Sequence, residues 1–158
     1  MISNSASSSP TQDERVMAAL SHVTAILPFM GMLAPIIIWV TQREKSKYVA
    51  FHALQALGYQ LSMILAWLVG MACYMVSFIF IFLSAAFTTS SNTAQPFLML
   101  PFIAPFAVFG IIIIGGLAFI VYGLVGAVLT FQGKSFRYIL IGNWVERFLQ
   151  PKADAAKN

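Results

Sequence analysis

VAFHALQALGYQLSMILAWLVGMACYMVSFIFIFLSAAF, residues 49–87, contains no Asp, Glu, Lys or Arg. A helix crosses a bilayer's hydrocarbon core in ~20 residues, so this stretch suffices for a span with tilt or with its first turns at the interface. Val16 to Val40 and Phe97 to Gly133 are uncharged in the same way. The whole chain is 59% hydrophobic and only 9% charged, so 158 residues carry too little polar surface for a soluble domain. The composition predicts an all-α integral membrane protein.

Working outward, the opening MISNSASSSPTQDER has a Ser-rich tract and neither a basic leader nor a short apolar core. Residues 1–12 therefore read as a disordered polar tail, not a signal peptide. Asp13 is a candidate helix cap, and Asp13 and Glu14 suit the positive end of a helix dipole. A first span over about 18–40 contains Pro28, Gly31 and Pro35. Each weakens the backbone ladder, so this span is expected to be Pro-kinked or re-entrant, built of two half-helices. The charged stretch TQREKSKY leads into a second span over about 53–87, and the uncharged TTSSNTAQ, Thr88 to Gln95, reads as the next loop. Pro96, Pro101 and Pro105 predict an irregular entry before a third span over about 105–131. Phe97 to Phe131 is too short for two crossings of ~20 residues with a turn, which favours three spans in a single domain over 13–133.

KSFRYILIGNWVERFLQ, residues 134–150, places Gly142, Asn143, Glu146, Arg147 and Gln150 in one wedge of a helical wheel. Phe136, Leu140, Trp144 and Phe148 take the other side. This predicts a C-terminal amphipathic interfacial helix with Trp144 and Tyr138 at headgroup depth, or one packed on the chain's own spans. Residues 151–158 read as a second disordered tail. Arg43, Lys45 and Lys47 follow the first span, and Lys134, Arg137, Arg147, Lys152 and Lys157 lie near the C-terminus. By the positive-inside bias the C-terminus is cytoplasmic. A crossing first span puts the N-terminus outside; a re-entrant one puts both termini in the cytoplasm.

The formal charge of +4 comes from residues flanking apolar runs, so it points to anionic lipid and topology rather than nucleic acid. None of the acids Asp13, Glu14, Glu44, Glu146 and Asp154 falls within an apolar core, which argues against ion-coupled transport and paired-carboxylate catalysis. Cys73, the single cysteine, reads as a small buried residue. His22 and His52 could ligate a haem. Were span one a crossing, His22 would lie ~27 Å from Val40, on the opposite face from His52, and each would bond a carbonyl or headgroup instead.

His52, Gln55, Tyr59 and Ser62 recur at spacings that share one helix face. Such a polar stripe in lipid is glue between spans or the lining of a cavity. Gly116, Gly123 and Ala127 lie near one face of span three and allow close helix packing, within the chain or between copies. No catalytic, cofactor-binding or metal-binding residue is assigned, and an enzyme is not expected. The expected partners are membrane lipids, with other membrane proteins or a second copy of the chain.

ERVMAALSHVTAILPFMGMLAPIIIWVTQREKSKYVAFHALQALGYQL, residues 14–61, resembles the bacterial Tic-twenty-like family, small membrane proteins related to a translocon subunit of the chloroplast inner envelope. Some magnetosome membrane proteins are similar. The resemblance rests on His22, Pro35 with Trp39, the charged turn Arg43 to Lys47, and His52-Ala53 with Gln55-Ala56. Gly133, Arg137 and Tyr138 match the family's ending. It implies no catalytic residue and a multi-pass protein of the bacterial cytoplasmic membrane, acting as an accessory, scaffold or translocation-related subunit. Two alternatives remain at this point: an oligomeric pore or carrier lined by the His52 to Ser62 stripe, and a haem-binding redox protein.

Overall fold

The structure, a computed structural model, describes residues 9–27, 29–88, 100–139 and 141–149. Residues 1–8, Pro28, loop positions 89–95, Pro96 and the tail at 151–158 lie outside the described residues. Among the described residues the regular elements are helices: α1 (Gln12–Val23), α2 (Leu33–Gln42), α3 (Lys47–Thr88), α4 (Leu100–Phe131) and α5 (Gly142–Leu149). Two short 3-10 turns, Thr24–Ile26 and Met30–Met32, separate α1 from α2. The chain packs as two compact units, one of Met1–Ser62 with Ile120–Asn158 and one of Met63–Phe119.

Helix α1 starts at a reciprocal cap. The Thr11 hydroxyl accepts the Glu14 N–H at 3.3 Å, while the Glu14 carboxylate accepts the Thr11 N–H at 2.8 Å. The cap is thus Thr11, and Asp13 sits in the first turn, where its charge still suits the dipole. Glu14 also accepts the Ser46 hydroxyl at 2.5 Å, and Ser46 in turn accepts the N–H of Val49 in the first turn of α3. One small network therefore ties the starts of α1 and α3 together.

The first apolar segment folds back on itself. Leu27 N–H bonds the Thr24 carbonyl at 3.0 Å and Gly31 N–H bonds Leu27 at 2.8 Å, with Phe29 between them at a φ of 64°. A Cβ on Gly31 would lie 2.0 Å from the Thr24 carbonyl oxygen, so only glycine lets the chain turn this tightly. Pro35 falls in the first turn of α2, where its missing N–H breaks no ladder bond. Met17 of α1 and Trp39 of α2 then pack about Ile38, Val49 and Ala53. Helices of 12 and 10 residues are each under ~20 Å long, short of the ~30 Å a crossing needs. The first segment is therefore a broken hairpin rather than a continuous span.

Two helices, α3 and α4, are long and apolar enough to cross a membrane. In the first unit α3 buries Val49, His52, Ala53, Ala56 and Tyr59, spaced by three and four residues on one face. Alanines along that face let neighbouring backbone approach. In the second unit Leu65, Ile79 and Phe82 of α3, and Phe106, Ile111 and Ile114 of α4, are exposed. Cys73 is exposed as well, not buried. Within this unit Gly70 meets Ile112 and Tyr74 meets Phe109, an antiparallel register of the two helices there. The irregular entry expected at Pro101 and Pro105 is instead helical, with Pro105 inside α4.

Helix α4 ends at Gly133, whose φ is 75°. Its N–H bonds the Thr130 carbonyl and the Lys134 N–H reaches Leu129, the paired bonds of a Schellman stop. The helix expected over 134–150 is shorter. Positions 134–139 form no helix, and their burial alternates: Phe136 and Tyr138 are inside, Lys134, Ser135, Arg137 and Ile139 outside. An alternation of two is the period of extended chain, so only Gly142–Leu149 is helical.

Gly31→Ala is expected to lower the melting temperature of the detergent-solubilised protein, with a loss of about 1–3 kcal/mol for overpacking. Gly110→Ala, in a helix with nothing within 4 Å of the added carbon, should leave stability unchanged or slightly raised. Glu14 gives a pH test. The Ser46 hydroxyl first, and then the Thr11 N–H, hold its carboxyl below the usual carboxylate range. A depressed folded value stabilises above the unfolded pKa and is lost as pH falls through the folded one. The melting difference between the parent and Glu14→Gln should therefore be present at neutral pH and vanish in acid.

Candidate functional site

Four segments of the first unit bring polar side chains into one buried cluster. His22 lies in the last turn of α1, His52, Gln55, Tyr59 and Gln60 lie on α3, Tyr122 lies on α4, and Tyr138 comes from the extended segment. His22 is 0% exposed, His52 2% and Tyr138 2%. A buried imidazole is costly unless its nitrogens are bonded, and both of His22's are. Nδ1 lies 3.1 Å from the Tyr138 hydroxyl and Nε2 lies 3.2 Å from His52 Nδ1. Both contacts are satisfied when Tyr138 donates to Nδ1 and the Nε2–H donates to His52. Burial pushes the Tyr138 phenol up, and Tyr59 and Tyr122 add to this, so it keeps the proton it donates.

Aromatic rings enclose the histidines. Tyr59 and Tyr138 stack with centroids 4.0 Å apart and planes 4° from parallel. Tyr122 and Phe136 stand edge-on to Tyr138, and Tyr48 edge-on to His52. Gln55 donates to the Phe136 carbonyl at 3.3 Å, and Gln60 to the Thr24 hydroxyl at 3.1 Å. Gln55 Oε1, Gln60 Oε1 and Thr130 Oγ1 are buried nearby without a protein donor among the described residues. Gly123 admits the hairpin turn: a Cβ there would lie 2.9 Å from that of Ala25 and 3.5 Å from the Tyr59 ring.

His22, His52, Gln55, Tyr59 and Gly123 are therefore brought together. Ser62 is not, since its hydroxyl turns back to the Tyr59 carbonyl at 2.7 Å. Gly116 lies in the second unit, lining a pocket of about 210 Å³ with Trp67 and Gly70. Histidines that a crossing first span would hold on opposite faces touch because the span is a hairpin. A macrocycle has no gap to enter: the rings meet edge to face with centroids 5.4 Å apart, and both His22 nitrogens face protein. The polar stripe turns inward: His52 meets His22, Gln55 donates to the Phe136 carbonyl and Tyr59 stacks on Tyr138. Among the described residues no three His, Cys, Asp or Glu side chains gather as a metal site. A helical reading of 134–150 puts Tyr138 at headgroup depth; the alternation of Phe136 and Tyr138 with polar neighbours is the signal for its inward place.

The family model described as the magnetosome magnetite crystal formation protein family matches residues 13–145. That range covers most of the chain, and the chain belongs to this family. The match corrects the Tic-twenty-like resemblance and, with it, the translocation-related expectation. No curated protein and no solved structure matches the chain.

Tyr138→Phe keeps the stacked ring but strips His22 Nδ1 of its partner. It should cost about 1–3 kcal/mol, the penalty of an orphaned buried polar atom, read by thermal or denaturant unfolding in detergent. Tyr74→Phe in the second unit should be near neutral. Combining Tyr138→Phe with His22→Phe should be clearly less than additive, because the two single changes remove one shared bond.

Proposed function

We propose that this member of the magnetosome magnetite crystal formation protein family is a non-enzymatic, multi-pass protein of the magnetosome membrane. It acts in magnetite crystal formation as an accessory or scaffold subunit. The family match over residues 13–145 carries the reading. The inward-turned histidine and tyrosine cluster supports it, since its polar atoms bond segments of one unit rather than opening to a substrate. The working surface is then the outside of the molecule, where apolar helix faces meet lipid and neighbouring membrane proteins.

In this placement α3 and α4 cross the bilayer, the α1–α2 hairpin lies on the cytoplasmic side and does not cross, and α5 lies in the interface. Both termini are cytoplasmic. Charge supports the arrangement: Glu14 bonds Ser46, the Arg15 guanidinium lies against Gly133, and Arg137 pairs with Glu146. The charged residues of the hairpin, of the loop before α3 and of the C-terminal segment thus share one end. From Tyr48 to Gly133 the sequence has no Asp, Glu, Lys or Arg. Basic residues concentrated at one end belong on the cytoplasmic side.

Deleting the gene in a magnetite-forming bacterium should leave the magnetosome vesicles in place but alter the size or shape of their crystals, scored by electron microscopy. Restoring the parent chain should restore the crystals. Unaltered crystals in the deletion strain would sink the reading. Reporter fusions should report a cytoplasmic location at both ends, and an external N-terminus would overturn the hairpin placement while leaving the crystal role untouched.

A further inference from the structure

On the first unit, a cleft of about 490 Å³ opens between the start of α3 and the C-terminal segment. Arg43, Lys47 and Arg137 line it, with Glu146 as the acid and Phe51 and Leu149 as apolar wall. Three cations face one carboxylate, so the cleft carries excess positive charge. Arg137 is held in place twice: it forks onto Glu146 at 2.7 and 3.2 Å, and it lies 5.7 Å over the Phe51 ring. A guanidinium has five N–H donors, and this fork directs two of them at Glu146. Arg43 stands over Trp39 at 5.6 Å, with Glu44 3.9 Å away and almost fully solvated, a pairing of little strength. Lys47 sits in the first turn of α3, at the positive end of the helix dipole.

We propose that this cleft binds a phosphate group, held by Arg43, Lys47 and Arg137, and that its ordinary source is the headgroup of an anionic phospholipid. A volume of this size suits a small ligand, and guanidinium and ammonium donors suit phosphate oxygens. The lipid source follows from the surroundings. Phe51 and Leu149 add apolar wall to the charged lining, and Trp144 and Phe148 stack on the exposed face of α5. Both are more than half exposed, an arrangement suited to the headgroup boundary. Free inorganic phosphate shares the charge chemistry but not the use of the apolar wall. This site is independent of the role in crystal formation.

The test uses the full chain in mild detergent, with native mass spectrometry titrations of phosphatidylglycerol, phosphatidylcholine and inorganic phosphate. Phosphatidylglycerol should be retained best. Arg43→Gln and Lys47→Gln should each weaken it about fivefold, the effect of one basic residue near an anionic headgroup. Lys45→Gln, in the same loop but outside the cleft, should not. All three residues are exposed, and unchanged melting temperatures in the absence of lipid would show that the variants fold. Binding of inorganic phosphate that Lys47→Gln weakens, without lipid retention, supports the phosphate site and assigns the free ion as its source. Equal losses from Lys45→Gln and Lys47→Gln would reduce the effect to diffuse attraction and overturn the site. So would phosphatidylcholine retained as well as phosphatidylglycerol, or no binding of any probe.

Discussion

His22 bridges His52 and Tyr138, and the architecture of the first unit follows from keeping both bonds. An imidazole buried to 0% exposure must have its nitrogens satisfied, and the partners available lie on α3 and on the segment after α4. A straight helix from α1 into α2 would carry the following residues away from those partners. The chain instead reverses between Thr24 and Met32. The reversal takes a non-glycine residue, Phe29, into positive φ, at a cost on the order of 1–3 kcal/mol. It also needs the bare backbone of Gly31 and the small surface of Gly123. Hairpin, glycine contacts and stacked tyrosines are thus one solution to one burial problem.

Some of this was legible from residue order alone. Uncharged runs of this length mark α3 and α4. The stripe of His52, Gln55 and Tyr59 was legible as a single face because helical spacing is local. Its partners were not. Hydropathy records that residues 16–40 are apolar, and a crossing helix and a hairpin whose outer side chains such as Leu27, Met30 and Ile37 stay exposed read alike on that scale. Proline and glycine could mark a break at Pro28 to Pro35 but not the angle, which depends on a contact between His22 and His52 across 30 positions. The cap itself is local: Thr11 with Glu14 three positions on is the capping-box pattern, and Asp13 lies one residue inside the helix start.

In the C-terminal segment two periods compete. A wheel drawn over 134–150 gathers Phe136, Leu140, Trp144 and Phe148, and any such wheel gives a plausible apolar side. Yet Phe136 and Tyr138 are buried with exposed residues between them, a period of two that competes with the helical one over a short window. Tertiary contact decides between the periods. Phe136 fills the space beside Gly126, where an added carbon would lie 2.7 Å from the ring, and Tyr138 completes the histidine cluster. An extended strap places both side chains inward because they stand two positions apart, the period of extended chain, whereas two residues apart on a helix point in different directions.

The positions that suggested a translocon-related family are informative for the same reason. His22, His52, Gln55, Gly133 and Tyr138 are residues that close the first unit: two histidines in contact, a glutamine bonded to the Phe136 carbonyl, a helix stop and a buried phenol. They encode how the segments fit together and name no task for the chain. What the packing leaves outside is the apolar flanks of α3 and α4, the stacked Trp144 and Phe148, and the basic end where Arg43, Lys47 and Arg137 converge. Under the proposed membrane placement the inner cluster holds the charged end in a fixed shape, and that fixed end is the surface from which a scaffold could address lipid and partner proteins.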